Sequence, residues 1–114
     1  MTETYVTASR HPANHAIQIL TINRPPRNAM TMQAYEQLLR LLQDGSADPT
    51  VRCVILTGAG DKAFVGGGEL AEHVELTPQT AAERTTLVRK VNECIRQHRA
   101  PVIAAVNGHA VGGG

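Results

Sequence analysis

Along this chain the spacing of apolar residues shifts between two and about four, and those shifts outline its elements. Tyr5–Ser9 alternates weakly. Over Ile17–Ile22, "IQILTI" sends Ile17, Ile19 and Thr21 to one face and Leu20 and Ile22 to the other. Both stretches read as strands, and Pro12 and Asn14 between them supply the turn chemistry of a hairpin. "NRPPRNAM", Asn23–Met30, interrupts regular structure, because consecutive prolines remove two backbone donors and disfavour helix before them. From about Thr31 a helix is predicted. Met32, Tyr35, Leu38, Leu39 and Leu42 form its apolar face, and Gly45 and Pro49 predict its end.

"VRCVILTG", Val51–Gly58, is a short apolar run closed by glycine and suits a buried strand. "ELAEH", Glu69–His73, reads as a short helix. Thr77-Pro78 has the form of a helix start, with threonine as cap and proline at the first helical position. Leu87, Val91, Cys94, Ile95 and His98 share one face of the helix that follows, which must stop before Pro101. "PVIAAVNG", Pro101–Gly108, is a second buried strand. Strands and helices therefore alternate after residue 30. This favours an α/β fold with parallel pairing and right-handed crossovers. No repeat, low-complexity tract or linker divides the chain, so residues 1–114 are expected to form one domain.

Composition narrows the function classes. Of 114 residues, 42% are apolar and 18% charged, an ordinary globular balance. The aromatics are Tyr5, Tyr35 and Phe64, the net charge is +1, and the basic residues are scattered, so neither a base-stacking surface nor a phosphate-binding stripe is expected. Cys53 and Cys94 form no CxxC; buried free thiols are favoured, and a disulfide stays open. The opening "MTETYVTASRHP" has no charged-then-apolar signal pattern, and Val102–Val106 is too short to span a bilayer. A cytoplasmic protein with no membrane or nucleic-acid partner is the expectation.

The candidate chemistry lies in two glycine clusters, Gly66-Gly67-Gly68 and Gly112-Gly113-Gly114, each downstream of a predicted buried strand. A strand, a glycine turn and a helix start together present free amides at a positive helix end, a setting that attracts a phosphate or a developing oxyanion. Two such turns could each offer one N–H to the same carbonyl oxygen; one good donor is worth about 3–4 kcal/mol in a transition state. The plainer reading is that the glycines only allow tight turns and close packing. Gly58-Ala59-Gly60-Asp61-Lys62-Ala63 also matches the dinucleotide fingerprint GxGxxA, but the residues after it do not open a helix directly. No P-loop lysine follows any cluster. His11 and His15 have i,i+4 spacing, yet Pro12 argues against a shared helix face, and no metal site is expected. Glu69 and Glu72 could serve as acid or base, or could favour a helix N-terminus by charge alone. Ser9 and Ser46 have no histidine partner in a recognisable triad.

"INRPPRNAM", "DPTVRCVILTGAGDKAFVGGGEL" and "APVIAAVNGHAVGGG", taken in order, resemble the N-terminal part of the crotonase superfamily, the enoyl-CoA hydratase/isomerase family. The resemblance covers nearly all of this chain and less than half of a typical member. It implies a spiral of ββα units, usual assembly as trimers or hexamers, and acyl-CoA thioester substrates, with coenzyme A as part of the substrate and no other cofactor. It assigns the oxyanion donors to the N–H groups of Gly68 and Gly113. It sets Arg27, Asn28 and Ala29 in a loop near the coenzyme A, with Glu69, Leu70 and Ala71 lining the same side. At positions 68 and 69 the family more often has alanine and aspartate. Hydration of a trans-2-enoyl-CoA is the default reaction implied. The family's catalytic carboxylates fall after the second triplet, so the resemblance further implies a fragment that is inactive alone. The alternatives are a non-catalytic acyl-CoA-binding or oligomerising half-domain and a nucleotide-binding α/β domain.

Overall fold

The computed structural model describes residues 3–114. Its elements run β1 (Val6–His11), β2 (Asn14–Ile22), α1 (Met32–Ala47), β3 (Cys53–Gly58), β4 (Ala63–Val65), α2 (Leu70–Val74), α3 (Pro78–Arg96), β5 (Val102–Ala105) and β6 (His109–Ala110). A four-stranded sheet has the order β1-β2-β3-β5, and β4 pairs with β6 in a second, two-stranded sheet. β1 and β2 form the expected antiparallel hairpin, with Val6 opposite Ile22. The pairs β2–β3 and β3–β5 are parallel. In both later turns of the chain the first strand joins the large sheet and the second joins the small one.

The alternation along β2 explains which face is buried. Leu20 and Ile22 are fully buried, and Gln18, on the same face, is buried with them. They pack with Val6, Val54 and the Ala34, Tyr35, Leu38 and Leu42 face of α1. Fully burying one leucine in this way contributes about 1.5–3 kcal/mol. Thr31 caps α1, its hydroxyl accepting from the Ala34 amide at 3.1 Å. Gly45 does not end the helix, which continues to Ala47 with Asp48 as its C-cap. The glycine lies close to β2 instead: a Cβ there would lie 2.6 Å from Gln18 Oε1, so that side chain would have to shift.

α3 begins as its sequence predicts. The Thr77 hydroxyl accepts from the Thr80 amide at 3.2 Å, and the Thr80 hydroxyl accepts from the Thr77 amide at 2.8 Å. Val91 is buried on its inner face, and Leu87, Cys94 and Ile95 pack half-buried against the core. Cys53 and Cys94 are free and half-buried, and burial pushes the Cys94 thiol up. The strands β4 and β6 were not expected. His109 lies in β6 and is exposed. The run Gly58–Ala63 leads into β4 and not into a helix, so the dinucleotide fingerprint lacks the helix N-terminus that would hold a pyrophosphate. His11 and His15 stand on opposite strands of the hairpin, and the His11 ring accepts from the Ala13 amide at 3.1 Å.

Candidate functional site

The parallel register brings the motif loops together. Ile22 pairs with Gly58, and Thr57 with Ala105, so β2, β3 and β5 end side by side. The three loops leaving that edge are Asn23–Met30, the segment from Ala59 to Glu69, and the segment from Val106 to Gly114. Crevices beyond the carboxyl ends of parallel strands are the usual place for ligands in α/β folds.

Two asparagines tie these loops to one another. Asn28 has φ 54° and is buried. Its Nδ2 donates to the carbonyls of Ala59 at 3.2 Å and Ala63 at 2.9 Å, and its Oδ1 accepts from the Arg24 amide at 2.9 Å. Asn107 grips the same middle loop from the other side. Its Oδ1 accepts from the Gly58 amide at 3.0 Å, and its Nδ2 donates to Gly60 O at 2.9 Å and Ala63 O at 3.3 Å. The side chain of Asn28 is thus committed to the protein's own backbone. Of its two neighbours in the resemblance, Arg27 is exposed at the loop surface, and Ala29 is half-buried with its carbonyl accepting from Arg24 Nη1 at 3.3 Å.

The two glycine clusters converge. A Cβ built on Gly112 would lie 3.4 Å from Gly67 Cα, and one on Gly67 would lie 3.6 Å from Val111 O. Both residues have positive φ, 88° at Gly67 and 59° at Gly112, a region that L side chains rarely enter. The first turn is pinned by three backbone bonds: Gly66 N to Asn28 O at 3.2 Å, Met30 N to Gly67 O at 2.7 Å, and Glu69 N to Met30 O at 3.1 Å. The second is held by Val111 N to Val65 O and by Gly114 N to Val111 O, both at 3.0 Å. Among the described residues, neither the Gly68 nor the Gly113 amide has an acceptor. Beside Gly113 an apolar cavity of about 250 Å³ opens, lined among others by Tyr35, Leu38, Leu56, Phe64 and Val65. A larger open groove between α1 and α3, about 480 Å³, shares no residue with either turn.

The acidic residues after the first turn are both ion-paired. Glu69 caps α2, accepts from Arg24 Nη1 at 2.6 Å, and has its carboxyl held below the usual range by that bond. Glu72 Oε1 accepts from Arg84 Nη1 at 2.7 Å and from the Met32 amide at 3.1 Å. Leu70 and Ala71 are exposed on α2. Sequence reasoning missed Asn107 and Arg84. The Asn-Gly step after β5 was visible as a turn signal, whereas nothing local marks Arg84, at 8% exposure, as a buried charge.

Two glycine turns thus approach each other at the carboxyl edge of an α/β sheet, and among the described residues the Gly68 and Gly113 amides have no acceptor. Comparison with known proteins places the chain more closely. The enoyl-CoA hydratase/isomerase family profile matches residues 12–114. The chain is 39% identical to the crotonyl-CoA hydratase of Syntrophomonas wolfei over 99 residues, covering 86% of this chain and 38% of that protein. It is 36% identical to the mitochondrial enoyl-CoA hydratase of Pongo abelii over 111 residues, covering 96% and 37%. The crystal structure of an enoyl-CoA hydratase from Bacillus anthracis superposes with TM-score 0.90 at 31% identity, covering 97% of this chain and 43% of that one. The chain belongs to the enoyl-CoA hydratase/isomerase family and has the crotonase fold. It spans about two-fifths of the length of the curated relatives it matches.

Proposed function

We propose that this chain carries the thioester-binding half of an enoyl-CoA hydratase/isomerase site, with the Gly68 and Gly113 amides as donors to the carbonyl oxygen of an acyl-CoA. The observation that carries this reading is the approach of the two glycine turns, so close that a Cβ on Gly112 would touch Gly67, each with an amide that has no acceptor among the described residues. Donors fixed before the substrate arrives stabilise the enolate-like charge that develops on that oxygen without reorganising. Arg27, Ala29, Leu70 and Ala71 border the same loops and would face the coenzyme A. Asn28 would act by holding its loop, since its side chain is already hydrogen-bonded to backbone.

Hydration of a trans-2-enoyl-CoA is the proposed reaction of the complete site. It needs a carboxylate to deliver water or move a proton, and Glu69 and Glu72 are both held by arginines. Within these 114 residues the geometry therefore supports binding and polarisation of the thioester, with negligible turnover. No helix among the described residues is long and apolar enough to cross a membrane. Two free thiols fit a reducing compartment, which supports a cytoplasmic location. Assembly as a trimer or hexamer would cover exposed apolar residues such as Val74 and Ile103. Calorimetry with crotonyl-CoA, free coenzyme A and NAD tests the substrate class. Tighter binding of the thioester than of free coenzyme A is expected, with no binding of NAD. Equal affinity for thioester and free coenzyme A, or preference for NAD, would contradict the reading.

A further inference from the structure

The Gly68 turn is backed by a buried charge that the thioester reading does not use. A Cβ on Gly68 would lie 2.6 Å from Arg84 Nη2 and 2.8 Å from Cε1 and Nε2 of His73. The space an alanine methyl would fill is taken here by a guanidinium and the edge of an imidazole. Three partners fix that guanidinium. Nη1 donates to Glu72 Oε1 at 2.7 Å, Nη2 donates to Met30 O at 3.2 Å, and the guanidinium carbon stands 5.5 Å from the centre of the Tyr35 ring. Met30 O also accepts from the Glu69 amide, so Arg84 and the backbone on the C-terminal side of Gly68 share one carbonyl.

Tyr35 extends the contact to the other turn. Its hydroxyl oxygen would lie 3.3 Å from a Cβ on Gly113. Its ring is buried, and the phenol is pushed up by desolvation, opposed by the nearby Arg84 charge. Burying a guanidinium is costly even when it is paired, and an apolar side chain of similar volume would fill the same space without that cost. A cation held behind one proposed donor, stacked on a ring that touches the other, is placed to act on both.

We propose that Arg84 is the positioning residue of this site: it fixes the Gly68 turn by direct contact and the Gly113 turn through Tyr35, and its charge strengthens the field at an oxygen held between the two amides. The proposal rests on the thioester reading. The test is the carbonyl carbon resonance of 13C-labelled crotonyl-CoA bound to the 114-residue chain and its variants. The unaltered chain should move that resonance downfield. Arg84→Gln should reduce the displacement and weaken thioester binding about tenfold. Arg84→Lys, which keeps the charge, should restore part of both. A merely structural role would lower thermal stability and leave the displacement intact in the folded fraction.

If Arg84→Gln does not fold, Arg84→Lys and Gly68→Ala carry the test, because the added methyl must push the guanidinium aside. Folded variants with the full displacement and full affinity overturn the role of Arg84 and leave the thioester reading standing. No displacement in the unaltered chain overturns both.

Discussion

The two glycine turns have the same composition and different support. Gly66–Gly68 lies under the Asn23–Met30 loop, is tied to it by three backbone bonds, and is backed by Arg84 and by the Arg24–Glu69 ion pair. Gly112–Gly114 hangs from β4 through one backbone bond and is exposed. A hydrogen-bond donor stabilises developing charge best when it is immobile before the ligand arrives. The first turn has three backbone bonds to support it within these residues; the second has the Val111–Val65 bond, its own Gly114–Val111 bond and the nearness of Gly67.

The largest expected effect comes from removing a donor outright. In an active protein containing this segment, Gly113→Pro should lower kcat by about 10²–10³, because proline has no N–H to offer. A folded variant with unchanged turnover would remove Gly113 from the site. Next comes Asn28→Ala, which strands the Arg24 amide and the Ala59 carbonyl, leaves Ala63 O to Asn107 alone, and puts alanine at positive φ. It should cost about 3–4 kcal/mol of unfolding free energy, measured by urea titration. Asn107→Ala, on the less supported side, should cost about 2 kcal/mol in the same experiment. Equal losses would mean that the two loops share their support evenly. Gly68→Ala should cost about 1–3 kcal/mol, since the methyl meets Arg84 and His73. Gly113→Ala should cost less, because its Cβ would meet only the Tyr35 hydroxyl, at 3.3 Å.

The smallest effect is a pH dependence far from the turns. His98 Nε2 and Gln18 Oε1 are both buried near Gly45, and neither atom has a partner among the described residues. Burial lowers the His98 pKa from its ordinary value near 6.5. The unfolded chain therefore takes up this proton first as pH falls. Stability should be full above about 6.5 and decline as pH drops toward the folded value. Melting curves across that interval check the direction; a His98→Gln variant should flatten it.

These differences also mark where sequence reading succeeds. The face of α1 was legible because Tyr35, Leu38 and Leu42 repeat with the helical period, and the start of α3 because Thr77-Pro78 is a local signal. The parallel β3 and β5 were legible as strands from apolar runs closed by glycine, but β5, read as buried, is an edge strand with Ile103, Ala104 and Ala105 exposed. β4 and β6, at three and two residues, are too short to show a period. Gly45 misled because glycine marks both a helix end and a close approach, and only the position of Gln18 decides between them. At the site, the glycines were legible by type and spacing. The asparagine clamps and Arg84 were not, since their bonds to the Ala59, Ala63 and Met30 carbonyls reach across 31 or more positions.

The amide proton and nitrogen resonances of Gly68 and Gly113, followed while crotonyl-CoA is titrated into the chain, report whether two turns hold one oxygen. Both should shift downfield along a single saturation curve, with the Gly113 signal sharpening as its turn is immobilised. Movement of one without the other, or the same shifts with free coenzyme A, would contradict a shared carbonyl oxygen.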